Sequence, residues 1–307
     1  MTSKVSMIST IKDERDGIED FLKSVLKQTK RPDEFLISDG GSTDGTFDVL
    51  QKYAEEYKWI KVFAAPNANI ARGRNLLIRK SRYPLIAVTD AGCRLDENWL
   101  KNIIAPFDNE KVDIVAGIFQ PSWKDDFQYF QGLVVVPSIR KIQSVLRMSS
   151  RSLAFRKQCW SEVGGYPEQY DRGEDTCFNL KLQQRGFLFL VAEDAIVKWQ
   201  MRKNLRDLFR QYYEYGSWDA LSKNILRMRY NLAMVCCFWA LMLLTVLVDI
   251  RFFLALTALL IIDLVTTAPR IFSERSKIKA FVYGISILTV RRIAYIIGVT
   301  FGSLTRK

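Results

Sequence analysis

Between Val5 and Thr89 the hydrophobic positions follow two alternating rhythms. Short apolar runs at Val5–Ile11, Glu34–Ser38, Lys61–Ala64 and Leu85–Thr89 have the length of buried strands. Between the first two, Ile18, Phe21, Leu22, Val25 and Leu26 recur at i, i+3, i+4, i+7 and i+8, which is one face of a helix. Thr46–Tyr57 and Ile70–Arg82 read as the next two helices. Strands alternating with helices predict an α/β fold with a mostly parallel sheet, right-handed crossovers and helices on both faces. In such sheets ligands bind outside the carboxyl ends of the strands. That places "SDGGSTDG" (38–45) and "TDAG" (89–92) on one edge.

Beyond Ile114–Phe119 the alternation loosens. "QPSWKDDFQYFQG" is polar and aromatic and reads as a loop or mobile segment, whereas Asp175–Arg185 and Leu205–Ser222 read as helices. Asn231–Val248 then runs eighteen residues without a charge, and Phe252–Ala268 carries only Asp263. A spanning helix needs about 20 apolar residues, so these two runs predict a transmembrane hairpin turned at Asp249-Ile250-Arg251. A buried hairpin of a soluble domain is the alternative. Ala280–Leu304 is apolar but carries Arg291-Arg292 at its centre, and reads equally as an interfacial helix or a third span. The expected organisation is a catalytic domain over 1–225 and a membrane anchor over 226–307.

Charge sharpens this picture. The net charge of +12 divides into +2 over residues 1–200 and +10 over 201–307. A nucleic-acid binder carries its basic surface on the folded domain. Here Lys223, Arg227, Arg229, Arg270, Arg275, Lys277 and Lys279 flank apolar runs, which predicts membrane lipid as a partner, no nucleic acid, and a cytoplasmic catalytic domain on a multi-pass cell-membrane protein. The chain has no histidine, so Ser-His and Cys-His pairs are excluded and proton transfer falls to carboxylates, Lys, Tyr or Cys. Five cysteines without a C-x-x-C pair argue against zinc and a disulfide framework. No signal peptide is read at Met1–Arg15, which is too charged for one.

The polar strand ends are the candidate chemistry. Asp39 ends one strand beside Gly40-Gly41, where it suits a ligand rich in hydroxyls or serves as an ordinary turn former. Asp90 ends another. Glu174-Asp175 either caps a helix or acts on a substrate. Taken together, "VSMISTIKDE", "PDEFLISDGGSTDGT", "ARGRNLLIRKSRYPLIAVTDAGC", "GGYPEQYDRGEDTCFNLKLQQRGF" and "FRQYYEYG" resemble, in order and spacing, the family 2 glycosyltransferases over roughly residues 4–220.

The resemblance implies the GT-A fold and a nucleotide-sugar donor. It makes Glu14 and Asp39 nucleoside contacts and brings Arg74 and Asn75 to the base and diphosphate. Asp90 becomes the first acid of a D-x-D motif that holds a divalent cation, Mg or Mn, on the diphosphate. Asp175 becomes the general base, with Glu174 beside it, in an inverting transfer. Three departures stand out. Gly40 replaces a frequent acid, Gly92 replaces the second acid of D-x-D, and Trp199 sits near the place of a metal-binding histidine. The absent Q-x-x-R-W implies transfer of a single sugar. A polyprenyl-linked or glycan acceptor follows from the anchor. A non-catalytic glycosyltransferase-like binding protein and a nucleotidyltransferase remain as alternatives.

Overall fold

The structure is a computed structural model describing residues 4–136, 148–221, 236–237, 239–249, 251–267, 271 and 276–301. It divides into two compact units, one of residues 1–120 and 137–200 and the other of 121–136 and 201–307. The second unit therefore begins earlier in the chain than the change to apolar composition at 226.

Among the described residues the first unit is built on eight strands. They are β1 (Val5–Ile11), β2 (Glu34–Asp39), β3 (Ile60–Ala64), β4 (Leu85–Val88), β5 (Cys93–Leu95), β6 (Ile114–Ser122), β7 (Leu153–Arg156) and β8 (Phe189–Gln200), in the order β3-β2-β1-β4-β7-β6-β8-β5. β1 pairs in parallel with β2 and β4, and β2 with β3. From β4 onward the direction changes, because β7 runs antiparallel to both β4 and β6, and β8 antiparallel to β5. The expected mostly parallel α/β sheet is present, with an antiparallel half that short, interrupted apolar runs could not announce.

Burial explains the parallel half. β1 and β2 are covered on both faces, so nearly every residue is buried and the strands read as continuous apolar runs. α1 (Ile18–Leu26), α2 (Thr46–Glu56) and α3 (Ile70–Lys80) provide the crossovers. Ile18, Phe21, Leu22 and Val25 are the buried stripe of α1. Asn69 caps α3 by accepting the Arg72 N–H at 2.9 Å. Gly73 lets α3 approach the sheet: a Cβ there would lie 2.6 Å from Ser38 Oγ and 2.8 Å from Thr10 Cγ2. α4 (Trp99–Ile104), α6 (Lys157–Glu162) and α7 (Glu174–Gln184) complete this unit. Most of the elements expected from sequence are found within one or two residues of their predicted bounds.

The second unit is helical. α5 (Asp126–Val135) replaces the loop expected at 120–132, and Asp125 caps it through the Gln128 N–H at 2.8 Å. Phe130 and Val134 on α5 join Leu208 and Tyr212 of α8 (Leu205–Leu221) and Ile287 and Leu288 of a long C-terminal helix in one apolar core. Two helical segments precede that helix, residues 239–247 and α9 (Arg251–Thr267), with α10 (Lys277–Phe301) following. α8 and α10 meet backbone to backbone, since a Cβ on Gly216 would fall 2.1 Å from Tyr295 O and one on Gly298 2.2 Å from Tyr213 O.

The membrane expectation is narrowed. Among the described residues one helix, Lys277–Phe301, is long and apolar enough to cross a membrane, and 33% of its 18-residue apolar stretch is buried within the protein. The first arm of the expected hairpin begins in residues 231–235, outside the described ones. Its second arm, α9, has 17 residues and an exposed apolar surface including Phe253, Leu254 and Ile262. At 1.5 Å per residue that is about 26 Å, short of a hydrocarbon core of about 30 Å. The multi-pass expectation is therefore not supported. Arg291, costly in lipid by itself, donates to Val134 O at 3.3 Å and lies 5.2 Å from the Tyr212 ring centroid.

Candidate active site

Register brings the candidate residues to one edge of the sheet. Ile11 pairs with Asp39, and Ile8 with Val88, so the carboxyl ends of β1, β2 and β4 lie side by side. β7 runs the other way and Leu153 pairs with Val88, so the residues entering β7, 149–152, reach the same edge. β8 leaves the sheet there too, with Trp199 beside Cys93 in the pairing with β5.

At the centre is Arg74, 2% exposed on α3. Its Nη1 donates to Glu174 Oε1 at 2.7 Å and its Nη2 to Asp90 Oδ1 at 2.8 Å. Its planar face lies 5.3 Å from the centroid of Tyr166, whose hydroxyl meets Ser150 Oγ at 3.0 Å. Its Nε is a buried donor with no partner among the described residues. Burial by itself would lower the guanidinium pKa, but the carboxylates of Asp90 and Glu174 raise it, so Arg74 is a permanent cation. Glu174 shows the opposite balance. Burial, followed by the neighbouring Asp175, pushes its pKa up to about 7 despite the Arg74 contact.

Asp175 opens α7 with Glu174, after Gly173 takes the left-handed conformation at φ 68°. One carboxylate oxygen, Oδ1, accepts the Thr176 N–H at 2.7 Å, and the other, Oδ2, lies 3.2 Å from Ser149 Oγ. Helix capping and a chemical role are compatible here, since acids in a first turn are favoured by the helix dipole.

Asp39 and Asn75 are engaged locally. Asp39 Oδ1 accepts the N–H groups of Gly41 and Ser42 at 3.0 and 2.9 Å, and Oδ2 accepts the Ser42 hydroxyl at 2.6 Å. The carboxylate thereby shapes the glycine turn that ends β2. Asn75 is buried and fully used. Nδ2 donates to Tyr166 O and Glu168 Oε1, while Oδ1 accepts from Trp160 Nε1 and Tyr166 N, all within 3.0 Å. An amide has two donors and two acceptor sites, so Asn75 holds the 160–168 turn and keeps no capacity for a nucleotide. Arg74 likewise sits beneath the edge, bridging two acids. Glu14 lies half-buried after β1, and its N–H donates to Thr46 Oγ1 at 2.9 Å.

The donor set for a cation is sparse. Among the described residues no three His, Cys, Asp or Glu side chains converge to hold a metal. Asp90 is reachable, 35% exposed, with Arg74 on one of its oxygens. Gly92 leaves open space, since a Cβ there would meet nothing within 4 Å. Magnesium commonly takes one or two carboxylates and completes its shell with phosphate and water. The residues therefore fit a cation shared with a phosphorylated ligand and do not fit an all-protein cage.

Two side chains that motif reasoning missed complete the site. Arg151 lies 4.0 Å over the Trp199 ring and donates through Nη1 to Ser149 Oγ at 3.0 Å. The only sequence signal was a polar "SSRS" ahead of the apolar "LAF" of β7.

Comparison with known proteins gives a consistent picture. A family model described as glycosyl transferase family 2 matches residues 6–165. The chain is similar to the O-antigen chain rhamnosyltransferase RfbN of Salmonella typhimurium, 26% identical over 67% of this chain and 69% of that protein. It is similar to the glycosyltransferase AglE of Haloferax volcanii, 24% identical over 62% of this chain and 65% of that one. Among solved structures, the mannosyltransferase PcManGT from Pyrobaculum calidifontis, in complex with GDP-Man and Mn2+, shares the fold at a TM-score of 0.65. That likeness carries 16% identity over 96% of this chain and 87% of the other.

Proposed function

Because the chain belongs to glycosyl transferase family 2 and is a glycosyltransferase, we propose that it is an inverting enzyme that moves one sugar from a nucleoside-diphosphate donor to a lipid-linked glycan acceptor at a membrane surface. The observation that carries this reading is the Asp90–Arg74–Glu174 bridge, buried at Arg74 and Glu174 and open at Asp90, with Asp175 next in the chain. One cation couples the strand end suited to a diphosphate to the helix start suited to an acceptor hydroxyl.

In this reading Glu14 and Asp39 border the nucleoside, and Asp39 fixes the turn beside it by accepting the Gly41 and Ser42 N–H groups. Asp90 would contribute one carboxylate to a divalent cation, Mg or Mn, which would supply Lewis-acid stabilisation of diphosphate charge. Asp175 accepts the proton of the acceptor hydroxyl as that oxygen attacks the anomeric carbon. The new carbon–oxygen bond forms on the face opposite the breaking bond to the diphosphate, so the anomeric configuration inverts. Arg74 keeps Glu174 and Asp90 apart and aligned, and Asn75 holds the aromatic 160–168 turn on the acceptor side. Exposed apolar side chains such as Leu247, Leu254 and Phe281 support attachment to a membrane, and the basic residues that flank the apolar runs in the sequence support its anionic face.

The test is product analysis of the full chain in detergent micelles with MnCl2 or MgCl2. The donors are dTDP-rhamnose, GDP-mannose, UDP-glucose and UDP-galactose, and the acceptor is a polyprenyl-diphosphate-linked N-acetylglucosamine. Release of a nucleoside diphosphate with one added sugar is expected, reduced at least about 100-fold in Asp175→Asn. Full turnover by both Asp175→Asn and Asp90→Ala would overturn these roles. Release of pyrophosphate would assign a nucleotidyltransferase instead.

A further inference from the structure

We infer that Arg151 is a positioning residue for the base, holding Asp175 through the Ser149 hydroxyl. The inference rests on the reading of Asp175 as the proton acceptor.

The direction of this hydrogen-bond chain is forced. Arg151 Nη1 lies 3.0 Å from Ser149 Oγ, and Ser149 Oγ lies 3.2 Å from Asp175 Oδ2. A guanidinium only donates, and an ionised carboxylate only accepts. Ser149 must therefore accept from the Arg151 guanidinium, with the Arg151 backbone N–H also 3.4 Å from the same oxygen, and turn its single proton toward Asp175. A serine hydroxyl ordinarily rotates among partners, and here the arginine removes that freedom. Asp175 is consequently held at both oxygens, by the Thr176 N–H on Oδ1 and by the Ser149 hydroxyl on Oδ2. Two bonds from two elements fix the plane of the carboxylate, which one bond would leave able to turn.

Arg151 needs its own support, because a long side chain on a turn is otherwise mobile. Its guanidinium stacks 4.0 Å from the centroid of Trp199 and 5.8 Å from that of Phe119, and those two rings meet edge to face at 6.1 Å. The tryptophan at the end of β8 thus has a use: it is the platform for the arginine that aims the serine. The antiparallel entry of β7 brings 149–151 to the edge where α7 begins, which is why residues so far apart in sequence form one string.

The role predicts a specific kinetic signature. Misplacing a base by a fraction of an ångström lowers turnover without weakening donor binding. The assay uses the full chain in micelles, the four donors named above and polyprenyl-diphosphate-linked N-acetylglucosamine, with the melting temperature of each variant measured alongside. Ser149→Ala and Arg151→Met are expected to lower kcat about 10–100-fold with the donor KM within about twofold. Ser149→Thr, which keeps a hydroxyl, recovers most of the loss. The double variant Ser149→Ala/Arg151→Met is no slower than Ser149→Ala alone, because Arg151 reaches Asp175 only through the Ser149 hydroxyl. A raised donor KM at unchanged kcat would make Arg151 a diphosphate contact and overturn the inference. So would losses that multiply in the double variant. Wild-type rates in both single variants, with Asp175→Asn inactive, would dismiss the string and keep the base. A wild-type rate in Asp175→Asn would remove the base assignment and the inference with it.

Discussion

Arg74 and Glu174, a hundred residues apart in the chain, meet at 2.7 Å inside the first unit, both nearly excluded from solvent. The same guanidinium reaches Asp90 at 2.8 Å through its other terminal nitrogen. A planar fork can serve two acids at once in a way that an ammonium cannot. Arg74→Lys is therefore expected to keep the charge and lose the geometry. Removing the charge altogether, in Arg74→Leu, leaves a buried carboxylate uncompensated and is expected to destabilise the fold by about 3–5 kcal/mol. Urea denaturation of both variants checks this, with Arg74→Lys falling between wild type and Arg74→Leu.

Glu174 gives a dependence on pH. Its pKa rises from 4.5 to about 7 on folding, mainly through burial. Between those values the folded state keeps a proton that the unfolded state has lost, so stability falls as pH rises from 4.5 to about 7 and this contribution is level beyond. The difference is worth at most about 3 kcal/mol. Glu174→Gln keeps an oxygen for Arg74 and removes the titration. Its stability is expected to change less between pH 5 and 7 than that of the wild type, by about 1–3 kcal/mol. Parallel slopes in the two proteins would contradict the assignment.

Gly92 offers a gain of function. Open space surrounds the position a side chain would take, and its backbone needs no glycine. Gly92→Asp is expected to supply a second carboxylate next to Asp90 and tighten Mn2+ binding about tenfold or more. Isothermal titration with MnCl2 and a nucleoside diphosphate reads the change. An unchanged affinity would mean that the open space lies away from the cation.

Asn75 can be tested by what its loss strands. Asn75→Leu leaves the Trp160 indole N–H and the Tyr166 N–H without an acceptor, and Tyr166 O without its donor. A loss of about 2–4 kcal/mol is expected, at about 1–3 kcal/mol for each stranded group partly relieved by water. Limited proteolysis should then cut within 160–168 before any other site in the first unit.

Gly216 and Gly298 make a separate prediction for the helical unit. Either one changed to Val places a side chain into a facing backbone. Separation of α8 from α10 is expected, lowering the melting temperature by several degrees, as about 1–3 kcal/mol of overpacking would.

Much of this site is legible in the sequence alone. Asp39 and Asp90 stand where apolar strands stop, and in a parallel sheet such stops fall together on one edge. Glu174-Asp175 announces a helix start, and a helix starts there. Periodicity thus determined the alternating strands and helices, the edge and its acids, because burial on two faces leaves a signal in every residue of a strand. The α5 helix was missed because Pro121 and Trp123 just ahead of it and Gly132 within it read as loop residues, although Phe127, Phe130 and Val134 keep a helical spacing. Only the tertiary structure decided the partners. Nothing in "ARGRN" distinguishes a buried cation from one on a solvated face, since periodicity reports whether a residue is covered and not by what. The antiparallel insertion of β7 is a non-local choice, and it alone brings Ser149 and Arg151 to Asp175. The physical reason is the same in each case. Strand and helix follow from neighbours along the chain, whereas a hydrogen bond or an ion pair at about 3 Å depends on two segments arriving together.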